Sequence, residues 1–166
     1  MLISYRGQLP QVDARALIQP SAQVIGNVCI GAESSLWFNV VARGDINSIR
    51  IGERTNIQDG SIIHVGSDHA VTIGSEVTIG HNSTIHGCSI GDGCLIGMGS
   101  IVLDAAVLEA GVLVAAGSLV APGSHFPAGV LVMGRPARVK RELLTEEISA
   151  LRQSADHYVK LLQYYR

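Results

Sequence analysis

One hundred and sixty-six residues make one domain, long enough to bury a continuous core. Hydrophobic residues supply 47% and charged residues only 16%, which excludes a disordered chain, and a net charge of −2 gives no general attraction to nucleic acid or acidic membrane. Aromatic residues reach only 4%, so the core has room for branched aliphatics and little for rings.

The opening segment, MLISYRGQLP, has no charged region followed by an apolar run. No stretch approaches the roughly 20 continuous apolar residues of a membrane span, and a cytoplasmic protein is expected. Cys29, Cys88 and Cys94 form no CxxC pair and read as reduced, buried thiols.

From residue 12 the chain repeats every six residues. Val12, Ile18, Val24, Ile30, Leu36 and Ala42 are all apolar, then Ile51, Ile57 and Ile63, then Ile73, Ile79 and Ile85. Ile90, Ile96, Val102, Leu108, Val114, Val120, Phe126 and Val132 complete the series. Four residues beyond these positions the side chain is small or β-branched, as at Ala22, Val28, Ser34, Val40, Thr55, Ser61, Val77, Ser83, Ser89, Ser100 and Ser118. A helix repeats every 3.6 residues and an ordinary strand every two, so neither explains the pattern. A short strand plus a corner does. Three such units close an 18-residue triangular coil, and stacked coils make a solenoid of parallel strands. The predicted fold is an all-β solenoid over residues 1–138, followed by a C-terminal segment, 139–166.

In that segment Ile148, Leu151, Ala155, Tyr158, Leu162 and Tyr165 recur at three- and four-residue steps. This predicts an amphipathic α-helix with Thr145 as N-cap and Glu146 and Glu147 in its first turn. Its apolar stripe should pack on the solenoid or on a neighbouring subunit.

The six-residue register slips three times. Ala42 to Ile51 takes nine steps, Ile63 to Ile73 ten, and Ile85 to Ile90 five. Slips in a solenoid read as outward loops, where function concentrates. His64 follows Ile63 and His86 follows Ile85, 22 residues on, which is one coil plus the four extra residues of the ten-residue step. The two histidines therefore stack on adjacent coils at about 4.8 Å, a spacing that suits two ligands of one metal. A lone outward histidine is ordinarily a solvated surface residue; a stacked pair with a third nearby is harder to dismiss. His81 falls near the preceding corner, out of reach of that metal in one chain, and a homotrimer would bring in a neighbour's His81 at the subunit interface.

Arg43-Gly44-Asp45, Asn56-Ile57-Gln58-Asp59, His64, His81 and His86 together resemble the γ-class carbonic anhydrase group of the hexapeptide-repeat family, over residues 12 to about 136. The resemblance implies a left-handed parallel β-helix, an exception to the right-handed rule for crossovers. It also implies zinc held by His64 and His86 of one subunit and His81 of the next, with iron or cobalt suiting the same imidazoles. Gln58 would orient a water on the metal and Asn56 would lie behind it. Arg43, Asp45 and Asp59 would form an ionic network at the interface, although a plain salt bridge explains the first two as well. The chain departs from the most active members of the group, which carry glutamates beside the metal. Ile46 takes one of those places, and the loop Val65-Gly66-Ser67-Asp68-His69 is short, leaving Asp68 and His69 as proton shuttles or as solvated loop residues.

The expected activity is a lyase reaction, the reversible and weak hydration of carbon dioxide, a small-molecule substrate. Hydrolysis of CoA thioesters is a variant of the same chemistry. Hexapeptide acyltransferases use one histidine as general base, which three clustered histidines exceed. A non-catalytic metal-binding scaffold is the remaining reading, and the missing glutamates favour it. Fold alone does not choose among these.

Overall fold

Each hexad becomes a two-residue strand and a corner, as at Gln11–Val12 and Leu17–Ile18. The computed structural model describes residues 1–165, a parallel β-solenoid of about seven coils with a single C-terminal helix. Its first face stacks Val12, Ile30, Ile51, Ile73, Ile90, Leu108 and Phe126 in register. The second stacks Ile18, Leu36, Ile57, Ile79, Ile96, Val114 and Val132. The third stacks Val24, Ala42, Ile63, Ile85, Val102 and Val120. These ladders are the core. All are buried except Val12 and Ile18, which are partly buried at the open end. Backbone bonds run from each coil to the next, so each rung is held by its neighbours above and below.

The three register slips take three different forms. The nine-residue step stays within one strand, Val41–Ile51, which carries its three extra residues as a bulge between Gly44 and Ile49, opposite Gly26 and Val28 of the paired strand Gln23–Ile30. The two strands approach so closely that a Cβ on Gly26 would lie 2.5 Å from the Gly44 carbonyl oxygen. The ten-residue step is an outward loop, closed by the Gly66 N–H donating to the His69 carbonyl at 2.9 Å. The five-residue step shortens its corner. Ser89, expected in the small inner position, is exposed because the missing residue moves Cys88 inward in its place. Burial pushes the Cys88 thiol up to about 12 and the Cys94 thiol to about 11. Cys29 is only half-buried, against the expectation that all three thiols are buried.

The sequence boundary after residue 138 falls inside a strand, Ala137–Glu142, which turns back antiparallel on Val130–Gly134. The helix Thr145–Leu161 follows. Thr145 is its first helical residue and not its cap. Leu144 holds that place, and its N–H donates 2.9 Å to the Glu147 carboxylate, which also takes a fork of two bonds from Arg141. The helix lies on the second face of its own solenoid. Leu151 and Ala155 are buried, Tyr158 and Tyr165 meet Trp37 edge-on with ring centroids 5.4 and 5.0 Å away, and Ile148 stays exposed. Arg54 adds ion pairs to Glu33, Glu76 and the helix's Asp156. No helix among the described residues is long and apolar enough to cross a membrane.

Candidate metal centre

His64 and His86 are register partners at the ends of the strands Ile62–His64 and Thr84–His86, as the coil count predicts. They mark the corner between the third and first faces. His64 Nδ1 faces His86 Nε2 at 3.1 Å. Each ring's other nitrogen meets a carboxylate: His64 Nε2 lies 3.1 Å from Asp45 Oδ1, and His86 Nδ1 is hydrogen-bonded to Asp104 Oδ1. A carboxylate only accepts, so each ring keeps its proton on the outer nitrogen. With both rings neutral, the inner nitrogens are two lone pairs aimed at each other. Two nitrogens on one tetrahedral zinc, each at about 2.0 Å, sit roughly 3.3 Å apart. The pair thus fits two ligands of one ion, and a cation between them would replace repulsion by two bonds.

Asp45 stands beside Arg43 on the strand that runs through this corner. Burial would raise its carboxyl, but the Arg43 guanidinium and the His64 ring overcome that and hold it below the ordinary carboxylate value.

His81 lies at the other corner, where the second face turns into the third. Its Nδ1 is 2.9 Å from Asp59 Oδ2. Asp59 is therefore engaged with His81 and makes no ion pair with Arg43 within the chain. Asn56 and Gln58 belong to the same side. Asn56 Nδ2 donates to Thr78 Oγ1 at 2.9 Å, which leaves Asn56 Oδ1 to accept from Gln58 Nε2 at 3.1 Å. Thr78 Oγ1 in turn lies 3.0 Å from Ser154 Oγ on the helix. Both amides are almost fully buried. Within one chain, among the described residues, no three side chains of His, Cys, Asp or Glu converge on one point.

The loop places His69 beside the metal corner. A Cβ on Gly87 would sit 2.9 Å from His69 Cβ, and both Asp68 and His69 are exposed. Asn47 Nδ2 holds the loop through the Gly66 and Ser67 carbonyls at 3.3 and 3.1 Å. Ile46 projects into solvent, 57% exposed.

Asp104 is the site residue that sequence reading missed. The signal was present, since one coil on from His86 reaches Leu103 and Asp104. The shortened corner puts Leu103 on the rung of His86 and Asp104 one residue past it, where its carboxylate can turn back over Gly87.

The profile of the hexapeptide repeat of succinyl-transferase matches residues 70–104. A carbonic anhydrase of Geobacillus kaustophilus is 43% identical over 166 residues, covering 100% of this chain and 91% of that protein. The chain belongs to the γ-class carbonic anhydrase-like group of the hexapeptide-repeat family. Mitochondrial gamma carbonic anhydrase 1 of Arabidopsis thaliana is 45% identical over 98% of the chain, which spans 61% of that longer protein. The crystal structure of a hexapeptide transferase family protein from Anaplasma phagocytophilum, 44% identical, superposes with a TM-score of 0.97 over 100% of this chain and 98% of that one. Members under the name carbonic anhydrase and members under the name transferase thus share this fold and comparable identity.

Proposed function

We propose that this protein is a zinc-dependent, γ-carbonic anhydrase-like enzyme that hydrates carbon dioxide reversibly and slowly, as a homotrimer with its metal sites at the subunit interfaces. The observation that carries the reading is the facing pair, His64 Nδ1 and His86 Nε2, 3.1 Å apart with both outer nitrogens held by carboxylates. His64 and His86 would hold the ion with a neighbour's His81, whose Nδ1 faces Asp59 and whose Nε2 is the nitrogen left to bind. A bound zinc would supply Lewis acidity that lowers the pKa of a water towards about 7. The Asn56 bond uses one N–H of Gln58 Nε2, and the Gln58 carbonyl oxygen would accept a hydrogen bond from a water at the site.

The third face supports the assembly. Its outward side chains are Gln23, Val41, Ile62, Thr84, Ile101 and Leu119, a mostly apolar stripe bounded by the His81 corner on one side and the His64–His86 corner on the other. The first face presents Gln11, Cys29, Arg50, Thr72, Ser89, Val107 and His125 outward, a more polar surface. Burying the third face between copies brings one chain's His81 corner to the next chain's histidine pair.

Proton return limits the rate, since Ile46 carries no proton and Asp68 and His69 sit on an exposed loop. The zinc-loaded protein should therefore show weak hydration that rises with added imidazole buffer, and Ile46→Glu should raise it further in dilute buffer. A second reading, CoA-thioester hydrolysis, is favoured by a groove of 380 Å³ lined by Leu95, Met98, Leu113 and Leu131, with Gln58, Thr78 and Ser154 among its polar lining. Thioester cleavage without hydration at any buffer concentration would replace the first reading by the second. Inactivity of the zinc-loaded trimer in both assays would leave a metal-binding scaffold.

A further inference from the structure

We infer that Asp104 is a positioning residue for the metal centre: its carboxylate fixes the tautomer of His86 and so presents the Nε2 lone pair to the ion. The inference rests on the reading of His64 and His86 as metal ligands. An imidazole with no partner divides between two neutral tautomers, and only the form protonated at Nδ1 leaves Nε2 free to bind. Asp104 Oδ1 accepts from His86 Nδ1 and removes the competing form. His64 has the same service from Asp45, and His81 from Asp59. Asp104 completes the set, one carboxylate for each imidazole.

The backbone around Asp104 is shaped to admit it. Gly87, at φ +54°, leaves empty the volume that a side chain would fill, since a Cβ there would stand 2.2 Å from Asp104 Oδ1 and 2.9 Å from His69 Cβ. The carboxylate passes over that gap to the ring. Its side chain is 42% accessible, so it can be replaced without opening the core.

The experiment compares wild type, Asp104→Leu and Asp104→Asn, each checked for the wild-type trimer and melting temperature. Nitrogen and carbon NMR shifts of His86 in the metal-free protein report its tautomer, and competition with a chromophoric chelator gives the zinc affinity. Wild type should hold His86 in the Nδ1-protonated form, and Asp104→Leu should admit the other. Zinc affinity should fall about 10–100-fold in Asp104→Leu. Asp104→Asn, whose amide oxygen still accepts, should recover much of that loss. Unchanged tautomer and affinity in Asp104→Leu would overturn the inference and leave the metal reading intact. Failure of wild type to bind zinc would overturn the metal reading, and the inference with it, whatever the tautomer.

Discussion

The two corners that flank the third face are built differently. At one, the backbone runs through as the continuous strand Val41–Ile51, and two stacked imidazoles point lone pairs at each other with Asp45 and Asp104 behind them. At the other, an ordinary corner carries one imidazole, His81, backed by Asp59 beside the buried amides Asn56 and Gln58. The first corner gathers two imidazoles whose inner nitrogens face each other. The second has a single imidazole, and among the described residues no three metal-ligating side chains gather there. On the proposed reading each is half of a site, and a threefold assembly is one closed arrangement that joins them.

The largest expected effect comes from breaking the first corner. His64→Ala or His86→Ala should lower zinc from about one ion per chain to below about a tenth, by elemental analysis of the purified trimer. His81→Ala should do the same from the other side. Mixing decides whether the halves belong to different chains: trimers assembled from equal parts of His64→Ala and His81→Ala chains should regain about a quarter of the sites, since a site then needs one intact half from each of two neighbours. No recovery in verified mixed trimers would show that one chain supplies all three ligands.

The face between the corners permits a smaller contrast. Ile63 points inward and is fully buried, whereas Ile62, beside it on the same strand, is 40% exposed. Ile63→Ala should cost about 2–5 kcal/mol of stability in denaturant titrations. Ile62→Ser should leave the coil folded and weaken the trimer, seen as dissociation on dilution in sedimentation velocity. Equal effects of the two on folding, with no change in assembly, would remove the third face from the interface.

The smallest effect concerns the helix start. The Arg141 fork and the Leu144 N–H hold the Glu147 carboxyl down at about 2, from an ordinary 4.5. A carboxyl depressed on folding stabilises the fold at pH above its unfolded value, and that contribution drains away as pH falls from about 4.5 towards 2. Glu147→Gln should therefore melt slightly below wild type at neutral pH and together with it near pH 2. A gap that persists at pH 2 would mean that packing, not charge, is responsible.

Much of this was legible in the sequence because a solenoid repeats locally. Ile63 and Ile85 land in register because one coil plus a four-residue outward loop separates them, and His64 and His86 follow from the same count. The slips were visible too, but not their form. The nine-residue step became a bulged strand because Gly26 and Gly44 allow two backbones to touch, a contact between coils that no single segment reveals. Ser89 was misplaced for a related reason, since a one-residue deletion can be absorbed on either side of a corner.

The sequence by itself determined the coil, its aliphatic ladders and the stacking of His64 on His86, since each depends only on residue type and spacing along one repeating path. Tertiary structure decided the rest. It set Asp104 behind His86, Asp59 behind His81, and Ser154 of the helix against Thr78, linking the helix to Asn56 and Gln58. Such partners are chosen by the direction in which a side chain turns and by the space a neighbour leaves. Periodicity carries no information about either.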